Sequence, residues 1–287
     1  MKNYSSFNLV LHVFIGFCVI VWGSSYVAVQ IGLEDFSPSQ LAAYRFTVAS
    51  AVLLPTLVFK KISVPKPKEW LYILAIASAG IVIYHIALNY SSVYYPATSV
   101  SFVANSMPIF AIIIATLFLG EQTSLLGWIG VLLAMIGIGL LNYEGLRSLD
   151  LEMLMLIIIP ISSAVFFVFQ KPLLKTLRSY EVMFYSILVG TLVLLVLDHS
   201  FLIVIPKAAI STNLAAIYLG LIPTAIAFNL WAYVLSKLEV SYTSRYLYLV
   251  PVFTVFFSFI ILNQIPKQNV LLGGGIILFG VYLSQRK

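Results

Sequence analysis

The chain has 287 residues, of which 61% are hydrophobic and only 9% are charged, with a formal net charge of +6. A soluble domain carries about 25% charged residues, so this composition excludes a soluble globular protein. The basic residues are spread over short loops between apolar segments, which predicts no nucleic-acid partner. The single cysteine, Cys18, lies in an apolar run and predicts neither a disulfide nor a metal cluster.

Ten apolar segments are each long enough to cross a membrane as a helix. The hydrocarbon core is ~30 Å thick and a helix rises ~1.5 Å per residue, so a span needs about 20 mostly apolar residues. Because the backbone finds no water to bond in lipid, we expect every span to be helical. The expected spans are 9–33, 38–59, 69–91, 96–119, 123–142, 151–170, 180–198, 211–236, 240–263 and 268–284. The first is longer than the apolar region of a signal peptide and is expected to be retained.

The Lys and Arg residues predict the orientation of these spans. With the N-terminus in the cytoplasm, the inside segments hold eleven of them and the outside segments three, while Arg45 and Arg245 fall within spans. Cytoplasmic loops carry an excess of Lys and Arg. We therefore expect both termini to be cytoplasmic.

The two halves of the chain repeat each other. The segment Ala87–Leu140 aligns without a gap on Leu230–Leu283, 143 residues later, and the matched positions include Pro108 with Pro251, Gly130 with Gly273 and Gly137 with Gly280. Five spans per half is an odd number, so the second half enters the membrane from the opposite side. The sequence therefore predicts an all-α integral membrane protein of ten transmembrane helices, built as two inverted five-helix repeats, 1–146 and 147–287. Repeats of this kind are typical of transporters whose binding site lies where the halves meet.

Three short motifs resemble a known family. They are Trp22-Gly23-Ser24-Ser25-Tyr26 in the first span, Arg45-Phe46 in the second, and Leu119-Gly120-Glu121 followed by Gly130 and Gly137. With the ten spans, they make the chain similar to EamA-type members of the drug/metabolite transporter superfamily. The resemblance implies a small-solute carrier, often an exporter, of the bacterial cytoplasmic (inner) membrane, with a central cavity.

The second half departs from this pattern. Asn263-Gln264 stands where the first half has Gly120-Glu121, and Arg45 has no clear basic counterpart. We therefore expect the two halves to contribute different chemical groups to the site.

Two arginines at membrane depth are candidate anion-binding residues. Arg45 lies ~10 Å into the second span, and Arg245 lies near the cytoplasmic start of the ninth, while no Asp or Glu lies well inside any span. The planar guanidinium suits a carboxylate or a phosphate. The alternative is that each arginine reaches a lipid headgroup or bonds helix carbonyls.

His85 is the one residue deep in a span that could titrate near neutral pH. It could relay a proton or bond a substrate, or it could simply form an interhelical hydrogen bond. Because proton-driven pumps commonly use intramembrane carboxylates, their absence favours a facilitator or an exchanger over a strongly coupled pump.

Aromatic and amide residues beside these positions complete the expected site. The expected substrate-binding residues are Trp22, Tyr26, Arg45, Tyr84, His85, Asn89, Asn105, Asn229, Trp231, Tyr242, Arg245 and Tyr248. Helix irregularities at matched positions are the expected hinges: Gly80, Pro108, Pro223 and Pro251. The alternatives are that membrane helices simply tolerate these prolines and that the amides join helices to each other.

The leading hypothesis is a secondary transporter or exporter of amino acids or related zwitterionic or anionic solutes. The first alternative is a facilitator or importer of a quaternary or cationic amine held in an aromatic cage. A membrane scaffold and an intramembrane enzyme are further alternatives, but no Ser–His, Asp-pair or zinc motif appears in the spans, so we expect no enzyme, cofactor or metal. The expected partners are the small-molecule substrate and the lipid bilayer. The glycines of the fifth and tenth spans predict close helix packing, in a monomer or a homodimer.

Overall fold

The structure is a computed structural model that describes residues 4–55, 62–110, 114, 124–141, 150–238 and 243–284. All regular elements in these ranges are helical. They are α1 (Tyr4–Gly32), α2 (Pro38–Leu53), α3 (Pro67–Ile76), π1 (Ala77–Ile83), α4 (Tyr84–Tyr94), α5 (Ala97–Ala104), α6 (Leu125–Leu141), α7 (Leu151–Leu173), α8 (Ser179–Leu197), α9 (Phe201–Val204), α10 (Ile210–Leu219), π2 (Gly220–Ile226), α11 (Ala227–Leu235), a 3₁₀ helix (Ser244–Leu249), α12 (Val250–Leu262) and α13 (Gln268–Ser284).

Local capping signals explain where helices begin. At α2 the Ser37 hydroxyl accepts a hydrogen bond from the Gln40 N–H at 3.3 Å, and the Gln40 side chain accepts one from the Ser37 N–H at 2.9 Å. Pro38 occupies the first helical turn, where a missing N–H costs nothing. At α3 the Glu69 carboxylate accepts from the Lys66 N–H at 2.6 Å in the same way.

The helices confirm an all-helical membrane architecture. Five are long and apolar enough to cross a membrane: Leu9–Gly32, Pro67–Tyr94, Leu151–Gln170, Ser179–Leu197 and Ile210–Leu235. Three further apolar helices are shorter: Leu125–Ile138, Tyr246–Leu262 and Gln268–Leu283. Helices α2 and α5 cover only the first parts of the expected spans 38–59 and 96–119, whose remainders lie partly outside the described residues. The count of ten spans therefore stays a prediction.

Two of the long helices change to π winding at matched positions. The segments π1 and π2 are 143 residues apart, which is the offset of the sequence repeat. Gly80 lies in π1, where an added Cβ would clash with the ring of Phe166. Pro223 lies in π2 and lacks the N–H that regular α winding would require. Two of the expected hinge residues thus lie in helix irregularities of the kind often found at functional sites.

The other two expected hinge residues follow breaks in helices. Helix α5 ends at Ala104 and helical winding resumes at Met107, with Pro108 next. The 3₁₀ helix likewise gives way to α12 at Val250, with Pro251 next. The N–H groups of the first turn of a helix have no intrahelical acceptor, so a proline there loses no hydrogen bond. Each of these prolines therefore begins a new helix after a break and does not kink a continuous one. Motion at these four positions stays a prediction.

Helices α6 and α13 pack backbone to backbone through glycine. A Cβ added to Gly137 would lie 2.7 Å from the Gly273 carbonyl oxygen, and one added to Gly280 would lie 2.6 Å from the Gly130 carbonyl oxygen. The two contacts exchange when every residue shifts by 143, so the repeat relates them. Since the late part of each helix lies against the early part of the other, the two helices run antiparallel.

Polar contacts join the two halves at one end of the bundle. The Asp35 carboxylate accepts hydrogen bonds from the Ala209 N–H at 2.8 Å and from the Thr212 hydroxyl at 2.7 Å, and so caps the start of α10. Nearby, the Ser39 hydroxyl donates to the Asp198 carboxylate at 2.5 Å. The bonds from Thr212 and then from Ala209 hold the pKa of Asp35 below its ordinary value.

Replacing Gly137 with alanine should destabilise the protein, because the added Cβ would lie 2.7 Å from a backbone oxygen. We expect a loss of about 1–3 kcal/mol, as for other overpacked interiors, measured as a lower melting temperature in detergent. The matched control is Gly275→Ala in α13, where no atom lies within 4 Å of the added Cβ. Equal melting temperatures for the two variants would contradict the close crossing of α6 and α13.

Replacing Asp35 with asparagine should lower the melting temperature at pH 7. Because folding lowers the pKa of Asp35, its contribution to stability is complete above the unfolded value of about 3.9 and is lost as the pH falls through the lower folded value. The difference between wild type and Asp35→Asn should therefore shrink progressively as the pH falls below about 4. Thermal unfolding from pH 7 to pH 3 measures this, with Glu34→Gln as the control for the loss of one charge. A difference that persists unchanged at pH 3 would contradict the capping role.

Candidate functional site

A cavity lies among the helices of both halves, beside π1. Its wall is formed by α1, α2, π1, α4, α7, α8, α11, the region around Asn105 and the 3₁₀ helix with the start of α12. The space between its walls, open solvent included, is about 890 Å³.

Seven of the twelve expected binding residues line this cavity. They are Trp22, Tyr26, Arg45, Tyr84, His85, Asn105 and Trp231, and the expected hinge residue Gly80 joins them. The sequence placed them in five different spans, and the fold brings them to one wall because α1 and α2 of the first half pack against π2 and α11 of the second. Their role in substrate binding stays a prediction.

The other expected binding residues are placed differently. Asn89 donates from its side-chain amide to the Pro38 carbonyl oxygen at 2.9 Å, and Asn229 donates to that of Ala225 at 2.8 Å. The Tyr248 hydroxyl donates to the Val281 carbonyl oxygen at 3.2 Å. None of the three belongs to the cavity wall as the described residues define it.

The remaining two expected residues are near the cytoplasmic start of the ninth span, and their side chains are outside the described part of the structure. Tyr242 lies outside the described residues. Arg245 lies in the 3₁₀ helix, and the description of that residue is limited to its backbone.

Arg45 is the charged residue of the described cavity wall. Its side chain is only 4% exposed, and its Nε–H donates to the Thr224 hydroxyl at 2.7 Å. Within the described ranges, no carboxylate lies within salt-bridge distance of Arg45, and its terminal nitrogens form no further hydrogen bond to the protein. A buried guanidinium with unused donors can bind an anionic group such as a carboxylate in the cavity.

His85 is fully buried and bonded to its own helix. Its Nδ1 lies 3.0 Å from the Ile81 carbonyl oxygen, one turn earlier in π1. The ring centroid is 4.6 Å from that of Phe46 and 4.8 Å from that of Tyr84, both in edge-on geometry. The imidazole therefore satisfies a carbonyl of the π turn while its ring forms part of the cavity wall.

Aromatic rings form much of the remaining wall. The ring centroid of Trp22 is 5.0 Å from that of Trp231 and 6.0 Å from that of Phe228. The side-chain amide of Asn105 donates to the Tyr26 hydroxyl at 3.5 Å. Such a wall offers apolar faces with a few hydroxyl and N–H donors, as small-molecule sites commonly do.

Several wall residues were not predicted from the sequence: Ser163, Phe166, Phe167, Gln170, Met183 and Phe228. Gln170 was placed at the end of the sixth span, but α7 continues to Leu173 and buries this side chain. A buried glutamine after a run of phenylalanines was the available signal. The phenylalanines themselves carry no such signal, because apolar rings are equally frequent on lipid-facing surfaces.

Two polar atoms at the cavity are buried without a hydrogen-bond partner among the described residues. They are Oε1 of Gln170 and Nε1 of Trp231, whose side chains are 1% and 3% exposed. Both atoms are available to a ligand in the cavity, although five other buried polar atoms of the described residues, away from the cavity wall, are unpaired as well. The described residues contain no group of His, Cys, Asp and Glu side chains suited to hold a metal ion.

Comparison with known proteins places the chain among transporters. The profile of the EamA-like transporter family matches residues 10–143 and again 150–285. A "Probable terminal-alkyne amino-acid exporter" of Streptantibioticus cattleyicolor is 28% identical over 94% of this chain and 91% of its own length.

Other relatives carry less specific names. "Uncharacterized transporter YdfC" of Bacillus subtilis is 28% identical over 93% of this chain and 88% of its own length, and "Uncharacterized inner membrane transporter YedA" of Escherichia coli K12 is 25% identical over 92% and 87%. A solved crystal structure covers 95% of each chain with a TM-score of 0.64 at 17% identity, which shows that the fold is shared. The names of these relatives indicate transporters rather than enzymes.

Replacing Arg45 with methionine should not lower the melting temperature of the ligand-free protein. Burying a charge without an opposite charge costs free energy, and an apolar side chain of similar length removes that cost. Unliganded wild type and Arg45→Met, compared by thermal unfolding in the same detergent, measure the effect. A variant that melts well below wild type would show that Arg45 stabilises the fold and is not kept for binding a ligand in the cavity.

Proposed function

Because the chain belongs to the EamA-like transporter family, we propose that it is a secondary carrier of small zwitterionic or anionic metabolites, of the amino-acid class. The observation that carries this proposal is Arg45, buried in the cavity wall with its terminal nitrogens unused and without a carboxylate partner among the described residues. The guanidinium binds the substrate carboxylate, and the aromatic wall packs against the rest of the substrate.

The amino-acid class has support from a relative as well. The Streptantibioticus cattleyicolor protein is named a probable exporter of an amino acid. Amino acids combine the carboxylate that Arg45 requires with bodies small enough for the cavity. The membrane is the bacterial cytoplasmic one, in keeping with the inner-membrane name of the Escherichia coli relative and with the Lys and Arg distribution, which puts both termini in the cytoplasm.

The charge of the cavity limits the substrate further. Arg45 is the single charged residue of the wall among the described residues, so the site neutralises one negative charge. A second carboxylate would be buried without a partner, at a high cost. The preferred substrates are therefore monocarboxylates whose apolar or aromatic body packs against the aromatic wall.

Transport proceeds by alternating access of two inverted five-helix repeats, 1–146 and 147–287. The antiparallel crossing of the equivalent helices α6 and α13 supports the inversion, since an axis along the membrane normal would leave them parallel. The π turns and the breaks before Pro108 and Pro251 supply flexible points in both halves. A facilitator or exchanger agrees with a described wall that lacks carboxylates.

The proposal is tested by ligand-induced stabilisation of the purified protein. A ligand that binds only the folded state raises the melting temperature, so the twenty common L-amino acids are each compared with their methyl esters. We expect neutral apolar or aromatic amino acids to raise it, their esters not to, and Arg45→Met to abolish the response. Arg178→Gln, which changes a cation at the end of the bundle, is the control and should respond like wild type.

A different pattern would favour the amine hypothesis. If choline and tetramethylammonium stabilise the protein while the amino acids do not, and Arg45→Met responds like wild type, the aromatic wall acts as a cation cage and the carboxylate proposal is wrong. Counterflow of the radiolabelled ligand in proteoliposomes then establishes whether the bound compound is transported.

A further inference from the structure

The proline in π2 is incompatible with regular α winding at this point of the helix. In α winding the N–H of residue 223 would donate to the carbonyl oxygen of Leu219, but Pro223 has no N–H. In π winding the backbone donor in register with this oxygen is the N–H of Thr224, five residues on. The Thr224 hydroxyl donates to the same oxygen, at 2.7 Å.

The same hydroxyl also holds Arg45. A hydroxyl has one proton and two lone pairs, whereas a guanidinium only donates. Since the Thr224 proton points to Leu219, the oxygen accepts the Nε–H of Arg45, at 2.7 Å. The direction of both hydrogen bonds is therefore fixed, and both groups are buried, with Thr224 at 0% exposure and Arg45 at 4%.

This arrangement determines which nitrogens of the guanidinium remain available to a ligand. With Nε–H bonded to Thr224, the two terminal nitrogens remain, and they bind a carboxylate as a pair. We infer that Thr224 is the positioning residue that aims Arg45 into the cavity, with its own hydroxyl proton directed to the Leu219 carbonyl oxygen. This inference rests on the proposed function, in which Arg45 binds the substrate carboxylate.

The other half of the chain offers a comparison within the same molecule. At the repeat offset of 143, Gly80 stands at the position of Pro223 and Ile81 at that of Thr224. Gly80 has its own N–H, and Ile81 packs against the close approach of Gly190 on α8 without any polar contact there. A π turn in this fold therefore needs no threonine by itself. The threonine is present in the π turn that contains a proline and that contacts Arg45.

The anchor is tested first without any ligand. If Thr224 holds Arg45, then Thr224→Val lowers the melting temperature more in wild type than in Arg45→Met, where no guanidinium is left unbonded. The control is Thr254→Val, which removes another fully buried threonine hydroxyl and should cost the same in both backgrounds. Strictly additive shifts for Thr224→Val and Arg45→Met would overturn the anchor.

The positioning role is tested by ligand affinity, with the twenty common L-amino acids and their methyl esters as probes. Thr224→Val should weaken the binding of the stabilising amino acids about tenfold or more, since a hydrogen bond to a charged group is lost. Thr224→Ser and Thr254→Val should keep wild-type affinity. Wild-type affinity in Thr224→Val would overturn the positioning role.

If no amino acid stabilises wild type although the melting temperatures remain coupled, the proposed substrate fails and the Thr224–Arg45 anchor is supported.

Discussion

Every backbone carbonyl freed inside a membrane must find another donor, and this requirement organises the centre of the bundle. Three carbonyl oxygens in and beside the π2 turn each accept a hydrogen bond from a side chain. Thr224 donates to Leu219, Trp22 donates to Pro223 at 3.2 Å, and Cys18 donates to Ala227 at 3.4 Å. Two of these donors come from α1, so the irregular turn fixes how the two halves meet, and the cavity lies beside that contact.

The repeat supplies a symmetric scaffold, and the side chains make it chemically unequal. In each half, the third span contains a π turn, and this turn packs against the second span of the other half. On one side this contact is Arg45 with Thr224, and on the other it is Ile81 with Gly190. Under the proposed function, the symmetric scaffold therefore presents a carboxylate-binding group that is present once.

The cavity gives up stability that a packed core would keep. It buries a cation without an acid in reach among the described residues, and it leaves Gln170 Oε1 and Trp231 Nε1 unpaired. Features of this kind persist at functional sites because selection acts on binding as well as on folding. Elsewhere the packing is tight, as at the glycine crossing of α6 and α13 and at the hydrogen bonds of Asp35 and Asp198.

The sequence by itself determined the all-helical membrane class, because hydropathy is a property of the chain and lipid permits few alternatives. It also indicated Arg45, Trp22 and Tyr84, since polar or amphipathic side chains in apolar spans need a reason to be there. Asn89 and Asn229 carried the same signal, but their amides bond to backbone carbonyls outside the cavity wall. Only the tertiary structure distinguished the cavity residues from these two asparagines. It also showed the hydrogen bond between Arg45 and Thr224, which are 179 residues apart in the chain. Hydropathy records which residues are costly in lipid, whereas their hydrogen-bond partners depend on how helices from two halves pack.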